Sequence, residues 1–321
     1  MFQGEEMNRR EFAKAVGIGA VGLALRKTSP PLAHERADEG PQLAITIDDF
    51  NLFGASREVA QKRNRALLNA LSARSNLKAA AFPVGRHIDN ELGKSLVREW
   101  GAAGHMIGNH TYSHWFYPNR SFAEFAQDIL RLEPLIKDMS GFTRRFRFPA
   151  LKEGDTVERR DKMRAFLKEH DYRMGYVTVD ASDWYIDQRL RARLAQNPKT
   201  EISAYKDYYL NHLWDRANFY DNLSRKALGR SVKHTLLIHH NVLNELFLAD
   251  VLGMFQSKGW RLINAQDAFT DAVFSAAPIT LPAGESIIWA LAKESGKFND
   301  MLRYPGEDGD YEKPKMDKLG L

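Results

Sequence analysis

Short apolar runs alternate along this chain with longer segments whose apolar residues recur every three or four positions. Runs of four to six apolar residues bounded by turn residues predict buried strands, and the longer period predicts helices. The first run is Leu43-Ala44-Ile45-Thr46-Ile47, followed by a polar helix from about Ser56 to Ser72. Leu77 to Phe82 reads as a second strand closed by Pro83, and Leu92, Leu96 and Val97 place a helix over 90–100 that ends near Gly101. A third strand follows at His105–Gly108, and Ser121-x-x-Glu124 reads as a capping box opening a helix to about Ser140. A strand over Arg144–Phe148 comes next, then a helix capped at Asp155-x-x-Glu158 and running to about His170, then a strand over Tyr172–Val179. Ile202, Tyr205, Tyr209, Leu213, Ala217, Tyr220 and Leu223 keep helical spacing and predict one long helix over 201–229, with 185–200 before it as an enlarged loop. A strand at 233–238, a helix at 244–258 and a strand at Trp260–Ile263 complete the alternation. Repeated strand–helix units predict an α/β domain built on a largely parallel sheet.

The chemistry lies where the strands end, which is where parallel α/β folds put their sites. The first strand runs into Asp48 and Asp49, and the third delivers His110 and His114. A buried strand ending in two carboxylates is costly unless cations or hydrogen-bond donors meet them. Successive residues on a strand face opposite ways, so one aspartate can ligate a metal while the other faces a bound water. Four residues make one helical turn, so His110 and His114 are expected to project from one side. Two imidazoles and a carboxylate suit a borderline divalent ion; a chance pairing of two histidines is the alternative reading. Three more segments sit at strand ends: Phe146-Arg147-Phe148-Pro149, Asp180-Ala181-Ser182-Asp183-Trp184, and Leu237-Ile238-His239-His240.

Composition narrows this further. The 321 residues contain no cysteine, so a metal site here must use nitrogen and oxygen. The formal net charge is +5, and near +3 beyond residue 37, too mild and too evenly spread to argue for a nucleic-acid partner. Met7-Asn8-Arg9-Arg10-Glu11-Phe12-Ala13-Lys14 has the form of a twin-arginine export signal. The apolar run Ala15–Leu25 behind it is short for a membrane span. Residues 1–37 are therefore expected to be a signal peptide and linker, cleaved after Ala33 or Ala37, that engages the twin-arginine export machinery. The product is expected in the periplasm or outside the cell with no stable membrane anchor; an uncleaved amphipathic anchor is the other reading. A single domain over 38–275 and an extension over 276–321 account for the remainder, with the polar stretch Tyr304–Leu321 expected to pack loosely.

Five of these segments, in this order, resemble the polysaccharide deacetylases with the NodB-homology domain, carbohydrate esterase family four. They are Thr46-Ile47-Asp48-Asp49, His110-Thr111-Tyr112-Ser113-His114, Arg147-Phe148-Pro149, Asp180 to Trp184, and Leu237-Ile238-His239. The resemblance covers roughly residues 42–270 and implies a distorted (β/α)7 barrel with its site at the C-terminal strand ends. It implies an acetylated polysaccharide as substrate and one divalent metal ion, Zn2+ or alternatively Co2+ or Ni2+, on Asp49, His110 and His114. It further implies Asp48 as general base and His239 as general acid. Arg147 then holds Asp48, and Asp183 orients His239. Trp184 and Leu237 line the acetyl pocket, and the Ala150 N–H serves as oxyanion donor.

The chain departs from the family in two places. Ala150 stands where an aromatic residue is usual, so Tyr112, Trp115, Phe148 or Tyr185 is left to supply the pocket wall. Residues 185–232 lengthen the interval between the fourth and fifth motifs, and 185–200 is expected to shape a substrate groove. Removal of N-acetyl groups is the leading reading. O-deacetylation of a xylan-type polymer and non-catalytic sugar binding remain alongside it.

Overall fold

The computed structural model describes residues 40–52, 55–74, 76–302 and 309–321. The expected export signal and its cleavage points lie outside the described residues.

β1 (Gln42–Asp49) is the central strand, and its residues Leu43 to Ile47 are wholly buried. After α1 (Arg57–Ser72) and β2 (Ala80–Pro83), the chain makes α2 (Glu91–Ala102), β3 (Met106–Asn109) and α3 (Phe122–Ile136). It continues through β4 (Phe142–Phe146), α4 (Val157–Glu169), β5 (Arg173–Met174), α5 (Asp183–Gln196) and α6 (Ser203–Leu228). β6 (Lys233–His239), α7 (Val242–Ser257) and β7 (Arg261–Leu262) end the alternation. The strands are parallel in the order β5-β4-β3-β2-β1-β6, and β7 pairs with Gln42 and Leu43 at the start of β1. Beyond β5, Val179 bridges to β6: its N–H donates to the Thr235 carbonyl at 3.0 Å, and its carbonyl accepts from Leu237 N at 3.1 Å. The sheet thus curls into the expected distorted α/β barrel. Among the described residues no helix is long and apolar enough to cross a membrane.

Local sequence explains most element boundaries. The capping box at Ser121 and Glu124 is present, and α6 stops at Gly229, whose φ of 74° an L side chain resists. Three expectations change. The cap of α4 is Thr156, whose hydroxyl accepts from Arg159 N at 3.2 Å, rather than Asp155. The strand expected over 172–179 forms only two ladder residues before it leaves for β6. Residues 185–196 are helical rather than a loop, because Leu, Arg, Ala and Gln are strong helix formers. Few of the α5 residues are apolar and buried, Ile186 and Leu190 among them, which is too thin a stripe to register as a period.

The C-terminal stretch over 309–321 is also better packed than its polarity suggests. Met316 is fully buried, and Glu312 is buried with its carboxylate accepting from Tyr208 at 2.6 Å. Polar side chains of α6 satisfy it, so composition alone misleads there.

One buried ion cluster generates a stability prediction. Asp221 accepts from Ser231 and from Arg225 Nε (2.8 Å) and lies 3.2 Å from His234 Nε2. Burial pushes its carboxyl up, but His234, Ser231 and Arg225 outweigh this and hold it at about 2. A folded-state pKa below the ordinary 3.8 adds stability above that value and loses it as pH falls through about 2. Asp221→Asn should therefore lower Tm at about pH 7, and the gap should narrow as acid is added. A gap that stays constant in thermal melts down to about pH 2 would contradict the assignment.

Candidate metal and catalytic site

Both aspartates of β1 reach the same side, against simple strand alternation. Asp48 is still in the strand, but Asp49 has φ of 77°, which turns its side chain back towards its neighbour's. Asp48 Oδ2 is 3.7 Å and Asp49 Oδ1 3.5 Å from His110 Nε2. The expectation of opposite faces fails because the strand ends in a left-handed residue.

His110 and His114 do converge, though no helix carries them. The loop after β3 contains left-handed residues at Thr111 (φ 64°) and His114 (φ 55°). Polar contacts pin this conformation. Asn109 Oδ1 accepts from Thr111 N at 2.9 Å, and Thr111 Oγ1 from His114 N at 3.0 Å. Asp128 of α3 accepts from Ser113 N (2.8 Å) and Ser113 Oγ (2.7 Å). His110 Nδ1 lies 2.8 Å from the Arg147 carbonyl, which assigns the proton to Nδ1 and leaves the Nε2 lone pair facing Asp49.

Asp49, His110 and His114 thereby place one ligand atom each within 4.8 Å of one another. Asp49 Oδ1 is buried without a hydrogen-bond partner, 3.2 Å from His114 Nε2 and 3.5 Å from His110 Nε2. A carboxylate oxygen facing two imidazole nitrogens, with no proton donor between, is a donor set that a divalent cation completes. Burial and the neighbouring His114 push His110 well below the ordinary histidine value, which keeps it neutral as a ligand must be. Burial opposes ionisation of Asp49, but His114 and the other histidines hold it far below the usual carboxylate range.

Asp48 occupies a different environment. Arg147, itself buried, donates to Asp48 Oδ1 at 2.6 Å, to Thr46 Oγ1 at 2.9 Å and to the Gly175 carbonyl at 2.9 Å. Its guanidinium also sits 4.1 Å over the Phe82 ring. Burial pushes the Asp48 carboxyl up, Arg147 pulls it back, and the outcome is about 6.

On the adjacent strand, in register with Asp48, stands His239. Its Nδ1 is 2.7 Å from Asp183 Oδ1, while Asp183 Oδ2 accepts from His239 N at 2.9 Å. Asn241 and Asn244, at the start of α7, donate to the same Oδ2 at 3.1 and 2.9 Å. Burial lowers the His239 pKa, but Asp183 more than compensates and raises it to about 10.

These groups border a cavity of about 290 Å³ that Ala150, Trp184 and Leu237 also line, as expected. Its aromatic wall is Phe116 and Phe148; of the candidates named for that wall, Tyr112, Trp115 and Tyr185 do not line it. Trp115 instead carries Arg120 and Tyr112 carries Arg131 on its ring face. Ala150 (φ 49°) and Leu151 (φ 56°) are both left-handed, at about 1–2 kcal/mol each for non-glycine residues. His240 faces away, stacked on Phe50 at a centroid distance of 4.6 Å. His105 Nδ1 accepts from Ala79 N at 2.9 Å, a structural role.

Sequence reading missed Phe116, Asp128, Asn241 and Asn244, and it gave Thr46, which opens the first motif, no role. Only Asn241 carried a signal, as an N-cap residue between the strand at 233–239 and the helix after it. Asp128 holds the histidine loop from a helix fifteen residues away in sequence and touches no ligand atom of the cluster. Asp128→Ala should therefore weaken Zn2+ binding by roughly 10–100-fold without removing a ligand. Unchanged affinity in a competitive chelator titration would contradict that role.

Residues 35–175 match the polysaccharide deacetylase family profile. A peptidoglycan-N-acetylglucosamine deacetylase of Bacillus cereus is 28% identical over 143 residues, which are 44% of this chain and 46% of that relative. The match thus spans less than half the length of the curated relative. Among solved structures, BA3943, a CE4 family pseudoenzyme from Bacillus anthracis, superposes with a TM-score of 0.50 at 16% identity. That similarity covers 71% of this chain and 65% of that one. A mutant of BA3943 with restored enzymatic activity gives a TM-score of 0.50 at 17% identity, over 71% and 67% of the two chains. At such identities the likeness speaks for the fold alone. Together with the five ordered motifs and the curled parallel barrel, the profile match over residues 35–175 supports a polysaccharide deacetylase domain of the NodB-homology type, carbohydrate esterase family four.

Proposed function

We propose that the protein is an exported, metal-dependent hydrolase that removes N-acetyl groups from an N-acetylated polysaccharide. The observation that carries this is the meeting, around one cavity, of a three-residue Asp-His-His cluster, a separate buried carboxylate and an imidazole paired with a buried aspartate. A sugar-binding protein needs neither the base nor the acid. Export through the twin-arginine machinery is part of the proposal and rests on the sequence at residues 7–25.

A divalent ion on Asp49, His110 and His114, Zn2+ or alternatively Co2+ or Ni2+, would supply Lewis-acid chemistry that acidifies water and polarises the acyl oxygen. Asp48 takes the proton of the attacking water. Its pKa near 6 suits a base at neutral pH, and Arg147 fixes which oxygen is free to accept. The Ala150 N–H is assigned to the oxyanion of the tetrahedral intermediate. His239, kept protonated by Asp183, gives its proton to the departing amine. Trp184 and Leu237 enclose the acetyl methyl.

A second depression of about 700 Å³ adjoins the site, bordered by Asn51, Trp184, Gln188, Arg191 and Asn241. Its size and its mixed polar and apolar lining suit sugar rings beyond the one being deacetylated, which favours a polymer over a free monosaccharide. Gln188 and Arg191 come from α5, so the segment expected to shape a groove borders this depression as a helix.

An amide leaving group must be protonated as its C–N bond breaks, whereas an activated aryl ester leaves as a stable phenolate. General acid assistance is worth about 10²–10⁴-fold. His239→Ala should lose about that much kcat/KM on N-acetylated chitin oligomers and much less on an aryl acetate. Asp183→Asn should show the same selectivity in weaker form. Equal losses on amide and ester would contradict the assignment of the acid. Acetate release by the unaltered protein from acetylxylan, with none from chitin oligomers or peptidoglycan, would replace N- by O-deacetylation.

A further inference from the structure

Ala150 and Leu151 hold left-handed conformations that their side chains disfavour. Such backbone persists only where its surroundings over-determine it. Here the surroundings come from a segment more than a hundred residues away. Lys152 and Gly154 pair antiparallel with Gly284 and Ala283. The Leu151 carbonyl accepts from Glu285 N at 3.0 Å, and Gly284 packs so closely that a Cβ there would lie 1.8 Å from that oxygen. Glu285 is buried, and its Oε1 meets Lys152 Nζ at 2.6 Å. The segment then reaches the chain that follows β5. Ser286 Oγ donates to the Thr178 carbonyl at 2.8 Å, and Ile287 N to the Val177 carbonyl at 2.8 Å. Val177 and Thr178 lead to Asp180 and Ala181, which line the same cavity as Ala150. Upstream, Arg164 of α4 grips both ends of this contact, pairing with Glu153 and donating to the Pro278 carbonyl at 3.0 Å. No acceptor for the Ala150 N–H is found among the described residues, so that donor is left for a ligand.

We infer that residues 283–287 are a strap that fixes the Ala150 amide for catalysis, with Gly284 and Glu285 as positioning residues. The inference rests on the deacetylase reading above. Neither residue touches the reacting atoms. Gly284 acts by its missing side chain, which lets the strap approach the Leu151 carbonyl. Glu285 acts through Lys152, which locks the pairing. Without the strap, Ala150 and Leu151 relax to ordinary backbone and the amide turns away from the cavity. The Asp-His-His cluster is held by β1, the loop after β3, Asp128 and the Arg147 carbonyl, to none of which residues 283–287 hydrogen-bond, so loss of the strap leaves metal binding intact.

The test uses the full chain loaded with Zn2+. In Gly284→Ala, kcat on N-acetylated chitin oligomers should fall about 10–100-fold, below the loss of a whole oxyanion donor. KM and bound zinc should stay within about twofold. Hydrogen exchange of the segment 148–152, read without substrate, should quicken. Glu285→Gln should show the same pattern more weakly, and Lys152→Arg should retain wild-type kcat. If Gly284→Ala does not fold, Glu285→Gln decides by the same readouts. Unchanged kcat, a KM rise equal to the kcat loss, or unchanged exchange in a folded variant would overturn the strap. If the unaltered protein releases no acetate, the proposed function fails, and the exchange measurement alone then upholds or overturns the strap.

Discussion

The site depends on one buried ion pair, Asp48 with Arg147, at 2.6 Å. Both partners are at most 2% exposed, so neither charge is repaid by water. Desolvating two ions is expensive, and Arg147 offsets part of the cost by donating also to Thr46 and Gly175, although its Nη2 finds no partner among the described residues. Removing one partner of such a pair typically costs about 3–5 kcal/mol, since it strands the other charge. The pair joins the ends of β1 and β4 and so brings the first and third motifs together. It also sorts two neighbouring carboxylates. Asp48 gives one oxygen to a guanidinium, while Asp49 has an oxygen with no hydrogen-bond partner beside two imidazoles. Two residues of identical chemistry thereby acquire different environments, the condition for a base and a ligand to coexist within one dipeptide.

The same logic runs outward. His110 is aimed by the Arg147 carbonyl, so the arginine that holds Asp48, the proposed base, also sets the tautomer of His110, a proposed ligand. His239 is aimed by Asp183, which four donors hold in turn. Each reactive side chain is thus fixed by a neighbour on a different element. The barrel brings those neighbours together by ending its strands at one rim.

Much of this was legible in the sequence, for a physical reason. In a parallel sheet the chemistry sits where apolar runs stop, so Asp48, Asp49, Arg147, Asp183 and His239 announce themselves at run ends. The parallel α/β architecture followed from the alternation of periods. What was not legible depended on backbone conformation or on contacts between distant segments. The convergence of Asp48 with Asp49, and of His110 with His114, relies on left-handed residues that no side-chain period encodes. α5 hid because its buried apolar stripe is thin, and the packing of Met316 and Glu312 hid behind a polar composition. Asp128 and Gly284 carry no motif; each matters through a single distant contact. Phe116 was missed because an exposed aromatic beside a motif looks like any surface residue until the cavity is built around it.

The central claim is that Asp48 and Asp49 divide the labour of base and ligand. The most direct test measures bound zinc and acetate release side by side in two variants. Asp48→Asn should retain the metal and lose deacetylation, because an amide cannot take the proton of the attacking water. Asp49→Ala should lose metal and activity together. Equal metal contents in the two variants, whether both full or both depleted, would contradict the account.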